Sequence, residues 1–110
     1  MVKDLKRALL ENMREFMLEA DPGYEQGHID RCGAILDKYV LSIASAANEE
    51  DARECVRKAV QELNVLNEDA GESLIETGER EQLWEIITLA GTKRGFFRNE
   101  DDVTGEWREW

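Results

Sequence analysis

The sequence predicts an all-α protein, an antiparallel four-helix bundle with a short aromatic C-terminal tail. In four separate segments, apolar residues recur at spacings of three and four, which is the period of an amphipathic helix. The chain has one proline and 35% charged residues, a composition typical of long solvated helices. Its 110 residues match the usual size of one domain. We therefore expect residues 1–110 to form a single acidic helical domain.

The first helix is predicted over residues 3–20. One face collects the apolar positions Val2, Leu5, Leu9, Met13, Phe16, Met17 and Ala20. The next stretch, residues 21–27, contains the proline and two glycines and cannot continue a helix. We expect Tyr24, within this loop, to fold back over the core.

Two helices are predicted next, over about 28–47 and from Asn48 to about Glu68. Asn48 is a suitable N-cap, and the three acids after it lie where the helix dipole favours negative charge. If these helices form a hairpin, Cys32 and Cys55 lie about 15 Å apart along it, beyond disulfide reach. Both thiols are predicted to be buried and reduced.

The fourth helix is predicted over about 78–94, with Thr77 as its N-cap and Gly95 as its stop. Gly91 weakens the prediction for its last turn. The preceding residues, 69–76, form a polar connection that is either a loop or a brief extended piece. Because all connections are short, we expect sequence neighbours to pack side by side in an up-and-down arrangement.

The tail, residues 96–110, combines a polar turn at 99–102 with two tryptophans three positions apart. A final helical turn would place Trp107 and Trp110 on the same side. We expect these indoles to serve either the fold or a contact with another protein, because a frayed tail rarely keeps two large aromatic residues.

The charge excludes several classes of partner. Twenty-five acidic and fourteen basic side chains give a net charge of −11, which repels nucleic-acid phosphates and anionic lipids. No apolar run approaches the roughly 18 residues of a membrane span, and the N-terminal residues do not resemble an export signal. We therefore expect a cytoplasmic protein with no nucleic-acid or membrane partner.

Few residues suggest catalysis or metal binding. Glu25 and His28 have the spacing of a di-iron bundle motif, and Cys32 lies one helical turn after His28, as two zinc ligands could. The further ligands are missing, so we expect a histidine near a helix N-terminus, a packed thiol, no catalytic site and no cofactor. A metal-binding bundle or small enzyme that uses His28 and carboxylates is the alternative.

What remains is a surface for a protein partner. Between Asn48 and Glu85 there are twelve acids and four bases. An acidic face speeds the encounter with a basic partner, and aromatic anchors then supply burial. The predicted partner-binding residues are Glu49, Glu50, Glu54, Trp107 and Trp110. As alternatives, the acids form an ordinary solvated face, the tryptophans pack on their own core, or they join two subunits of a structural homodimer.

The stretches LIETGEREQLWEII (74–87) and DDVTGEWREW (101–110) resemble the C-terminal half of small uncharacterised bacterial helical proteins. Some of these proteins look like immunity proteins of bacterial toxin systems. The resemblance implies a bacterial toxin as the basic partner. It implies no catalytic motif and no particular functional residues.

Overall fold

The computed structural model describes residues 2–97 and 103–110 and confirms the all-α fold. Its four helices are α1 (Val2–Ala20), α2 (Gln26–Ala44), α3 (Glu49–Asp69) and α4 (Thr77–Thr92). The α2 helix packs most extensively on α3, while α1 packs on α4 and α2, and α2 also contacts α4. Each helix contributes a leucine with no exposed surface to the shared core: Leu9, Leu36, Leu63 and Leu83.

The starts of α3 and α4 are fixed by different caps. The Asn48 side chain accepts a hydrogen bond of 2.8 Å from the Asp51 N–H, which confirms the predicted N-cap. The prediction of Thr77 as the next cap is wrong. Glu76 takes that position because its backbone N–H donates to the Glu79 carboxylate at 3.1 Å, while its own carboxylate accepts from the backbone three residues on. Such reciprocal bonding satisfies two helix-terminal donors.

The end of α2 is set by a side chain from another helix end. The helix was predicted to reach residue 47 but stops at Ala44. The Arg94 guanidinium, just after α4, donates to the carbonyls of Ile43 at 3.2 Å, Ala44, and Ala46 at 2.9 Å. These bonds satisfy terminal carbonyls that have no partner within the helix, so the small residues end α2 instead of extending it.

Both longer connections are tied to the core. Tyr24 is 5% exposed and its hydroxyl donates to the Met13 carbonyl at 2.9 Å, which confirms that it folds back. The connection between α3 and α4 consists of turns and bends rather than a strand. Within it Leu74 and Ile75 are buried, and the Ile75 N–H donates to the Asn67 side chain at 2.9 Å.

The packing departs from the predicted arrangement between α3 and α4. These sequence neighbours do not approach each other closely along their backbones, because α4 packs on α1 and α2 instead. The residues after α4 provide the link. We call Phe96, Phe97 and residues 103–110 the C-terminal segment. Phe97, Val103 and Thr104 are buried in it, and Phe97 contacts both α3 and α4. The predicted polar turn at 99–102 lies outside the described residues.

Candidate partner-binding surfaces

The two tail tryptophans lie against the protein's own core. Trp107 and Trp110 are partly buried beside the core residues. The Asn64 amide on α3 donates to the Trp107 carbonyl at 2.9 Å and accepts from the Glu109 N–H at 3.0 Å. The expected helical turn is present only as turns over 103–107. The indoles therefore contribute to the fold, and their role in partner binding stays a prediction.

The three predicted acids lie at the start of α3, but two of them have partners within the chain. Glu49 lies 3.6 Å from the Arg53 guanidinium and accepts from the Phe97 N–H at 3.2 Å. Glu54 forms an ion pair with Arg57, whose hydrogen bond is the main cause that lowers the pKa of the Glu54 carboxyl. Glu50 is exposed and forms no ion pair with a described residue. The local negative charge is thus largely compensated.

These acids do not form one site with the tryptophans. Glu54 precedes Asn64, which binds the tail, by ten residues, or about 15 Å of helix. The structure therefore separates the predicted acidic face from the predicted aromatic anchors along α3.

The α1 helix carries four bases beside α2. Lys3, Lys6, Arg7 and Arg14, with the acid Glu11 among them, line a groove of 390 Å³ together with Ile29 and Asp30 of α2. Lys6 also forms an ion pair with Asp37 across the α1–α2 boundary. Three further acids of α1, Asp4, Glu15 and Glu19, are exposed and do not line this groove.

The α4 helix, which packs on α1, also carries exposed acids. The exposed side of α4 carries Glu81 and Glu85, one turn apart. We call Asp4, Glu15, Glu19, Glu81 and Glu85 the acidic α1–α4 face. All five are exposed, and none forms an ion pair with a described residue. Sequence reasoning missed this face because it assigned the acidity to the second half of the chain, although the spacing of the acids in α1 was a usable signal.

A second groove follows the boundary between α2 and α3. It consists of two adjoining cavities of 480 and 160 Å³ that share Ile35 and Glu62. Val65, 53% exposed, lies at one end. The Lys38–Glu62 ion pair, at 2.7 Å, spans the groove. Most of the charged side chains that line it, Lys38, Glu62, Arg31 and Glu54, form ion pairs, unlike the acidic α1–α4 face.

The two thiols differ in burial. Cys32 has no exposed surface, and burial raises its pKa to about 12. Cys55 is only half-buried and lines the α2–α3 groove, so the prediction of two buried thiols is wrong for Cys55. Burial is also the main cause that raises the Cys55 pKa. Cys55 shares a cavity with Ser42, as expected from the predicted hairpin.

His28 has a structural role at the start of α2. Its Nδ1 accepts from the Glu25 N–H at 3.0 Å as part of a capping box. Among residues 2–97 and 103–110, no group of three or more His, Cys, Asp or Glu side chains is placed to hold a metal ion. No helix in the described part of the chain is long and apolar enough to cross a membrane.

Comparison with protein-family models, curated proteins and solved structures found no match to this chain. A functional proposal therefore depends on the surfaces themselves. The acidic α1–α4 face can attract a cationic protein over long range, whereas the α2–α3 groove offers apolar contact between charges that already neutralise one another.

Proposed function

We propose that this chain is an acidic protein-binding module that neutralises or escorts a basic protein partner. The observation that carries the proposal is the acidic α1–α4 face, whose five exposed carboxylates have no ion pair with a described residue. Uncompensated charges of one sign steer an oppositely charged protein toward the surface that bears them. The net charge of −11 adds attraction at longer range.

Apolar contact is available beside these acids. Phe16 is 43% exposed and Leu18 is 71% exposed, and each lies one helical turn from a carboxylate of the face, Glu19 and Glu15 respectively. Burial of such side chains supplies the short-range binding energy that charge alone does not. The cluster at the start of α3 plays a smaller part, because a partner's cations would have to compete there with Arg53 and Arg57.

The concrete partner that we propose is a bacterial toxin, with this chain as its cytoplasmic immunity protein. The support is the resemblance of residues 74–87 and 101–110 to small bacterial helical proteins, together with an acidity suited to a basic toxin. A toxin gene beside the gene for this chain would identify the partner. Rescue of cells from that toxin by co-expression of this chain would test neutralisation directly.

The binding site is tested by measuring how fast the neighbouring gene product associates with a variant of this chain. In this variant, Glu15, Glu19, Glu81 and Glu85 are changed to glutamine. A matched control changes Glu49, Glu50, Glu54 and Glu68 to glutamine, which alters the net charge equally. At low salt, we expect the association rate to fall about tenfold for the face variant and less for the control. Equal effects of the two variants, or an association rate indifferent to salt, would contradict the acidic α1–α4 face as the binding site.

A further inference from the structure

The C-terminal segment contacts α3 at two separated points and α4 at the first of them. At one point the Phe97 ring lies so close to Gly91 of α4 that a β-carbon there would overlap it, and the Arg53 guanidinium of α3 lies 5.8 Å from the ring centroid. At the other, Asn64 of α3 bonds the backbone of residues 107 and 109. The segment therefore lies along α3 from Glu49 to Asn64 and reaches α4 at Gly91.

Buried polar atoms without partners occur both in this segment and on the face of α4 that Phe97 contacts. Trp84, Thr88 and Gly91 recur at helical spacing and share one face of α4, the face against which Phe97 lies. Trp84 Nε1 and Thr88 Oγ1 are buried and make no hydrogen bond within the described structure, and the same is true of Trp110 Nε1. Such atoms have lost hydration without compensation, which weakens the contact they line.

The backbone of the segment is also strained at its first anchor. Phe97 adopts φ +61°, in the left-handed region that bulky side chains rarely occupy. The contacts among the four helices, by contrast, join α1, α2, α3 and α4 without the segment. Opening would thus relieve the strain and rehydrate the buried polar atoms, while the contacts between helices are kept.

We propose that the C-terminal segment is a detachable strap, which opens from α3 and α4 as a unit while the four helices stay folded. In the closed state it lies against α3 and against α4 at Gly91. In the open state it exposes the Trp84–Thr88 face of α4 and its own two indoles together. Local opening of this kind occurs with a lower free energy than global unfolding and is visible in amide exchange. This inference does not depend on the proposed function.

The test is hydrogen–deuterium exchange of the full chain, comparing Asn64→Ala with Asn67→Ala. Both residues lie on α3, and each accepts a backbone N–H from a later segment, Glu109 for Asn64 and Ile75 for Asn67. We expect Asn64→Ala to speed exchange in residues 103–110 about tenfold or more, because three hydrogen bonds are lost, two of them to the backbone of the segment, with little change in the cores of α2 and α3. Asn67→Ala should speed exchange in residues 70–76 instead.

Three results would overturn the strap. Residues 103–110 of the unmodified chain could exchange as slowly as the cores of α2 and α3, which would mean that they open only with the whole fold. Asn64→Ala could leave exchange in 103–110 unchanged. Asn64→Ala could speed exchange equally throughout the chain, which would show that the segment is an integral part of one cooperative unit.

Discussion

The two sides of α3 are closed by different means. Toward α2, two regular helices pack along their length, and ion pairs such as Lys38–Glu62 lie over an apolar groove. Toward α4, an irregular segment fills the space, held by one asparagine and by an aromatic ring seated on a glycine. The packing of α3 on α2 follows from the helical periodicity of their apolar residues. The side toward α4 shows that a helical bundle can complete its core with residues that have no periodic pattern.

The largest expected effect on stability comes from removing most of the C-terminal segment. Ending the chain after Val103 deletes both partly buried indoles and the bonds to Asn64. We expect the free energy of unfolding to fall by about 3 kcal/mol, since burial of a large apolar side chain contributes about 1.5–3 kcal/mol. For a domain of this size, Tm should fall by on the order of 12 °C or more.

A matched variant, Trp107→Phe with Trp110→Phe, keeps aromatic burial and removes the unpartnered Trp110 Nε1. It should retain most of the stability. If truncation leaves Tm unchanged, the segment contributes nothing to the fold and the contrast between the two sides loses its basis.

Glycine substitutions compare the seating of Phe97 on α4 with the packing of α2 on α1. Gly91→Ala should destabilise by about 2 kcal/mol, a usual cost of overpacking, because its new methyl group overlaps the Phe97 ring. Gly33→Ala places its methyl 3.2 Å from the flexible end of Leu10 and should be close to neutral. Gly78→Ala meets no atom within 4 Å and should stabilise α4 by about 0.5–1 kcal/mol.

Urea denaturation of the three variants measures these differences. Equal stability of Gly91→Ala and Gly33→Ala would mean that Phe97 can leave Gly91 at no cost, and that the ring is not an anchor.

Alkaline pH should lower the free energy of unfolding through the buried thiol of Cys32 on α2. Burial raises the Cys32 pKa from its usual 9.0 to about 12, so the unfolded chain loses this proton first as pH rises. The unfolded state then binds fewer protons than the native state, and stability falls with rising pH across this window. Between pH 9 and 10 we expect a loss of about 1 kcal/mol from this thiol.

The comparison is Cys32→Val, which cannot ionise, measured by urea denaturation at pH 8, 9 and 10. This variant should show a shallower pH dependence than the unmodified chain. Identical slopes for the two chains would contradict a buried neutral thiol. Above pH 10, the buried Tyr39, whose pKa is also raised by burial, should add to the loss in both chains.

The smallest expected effect concerns the ion pair across the α2–α3 groove. Lys38 and Glu62 are 66% and 38% exposed, so solvent screens their attraction. Lys38→Gln should change the free energy of unfolding by less than about 0.5 kcal/mol in thermal or urea denaturation. A loss above about 1 kcal/mol would show that charge, rather than apolar packing, holds α2 to α3.

The sequence predicts more about the side of α3 that faces α2 than about the side that faces α4. The four helices and the Asn48 cap follow from local spacing and residue type, and the structure confirms them. The early end of α2 depends on Arg94, fifty residues later, and no local pattern carries that information. In the sequence, Gly91 indicates only a weak last turn of α4. In the structure, its missing side chain leaves room for the Phe97 ring, which no local pattern predicts.

The sequence predicted that the candidate surface is acidic, but not where it lies. Composition indicated an acidic binding face, but counting charges along the chain placed it at the start of α3, where Arg53 and Arg57 compensate it. The acids of the acidic α1–α4 face lie on two helices that pack on each other, although the two sets are more than sixty positions apart in the sequence. Charge totals cannot reveal such a pairing of helices.

The placement of the tryptophans has a spectroscopic consequence. The chain contains three tryptophans, two in the C-terminal segment and one, Trp84, on the α4 face that carries Gly91. Intrinsic tryptophan fluorescence therefore reports on this one region, whereas far-ultraviolet circular dichroism averages over all four helices. Curves from the two methods should coincide only if the whole chain unfolds in one step. If the emission shifts to longer wavelength before ellipticity is lost, the C-terminal segment separates from the helices before the helices unfold.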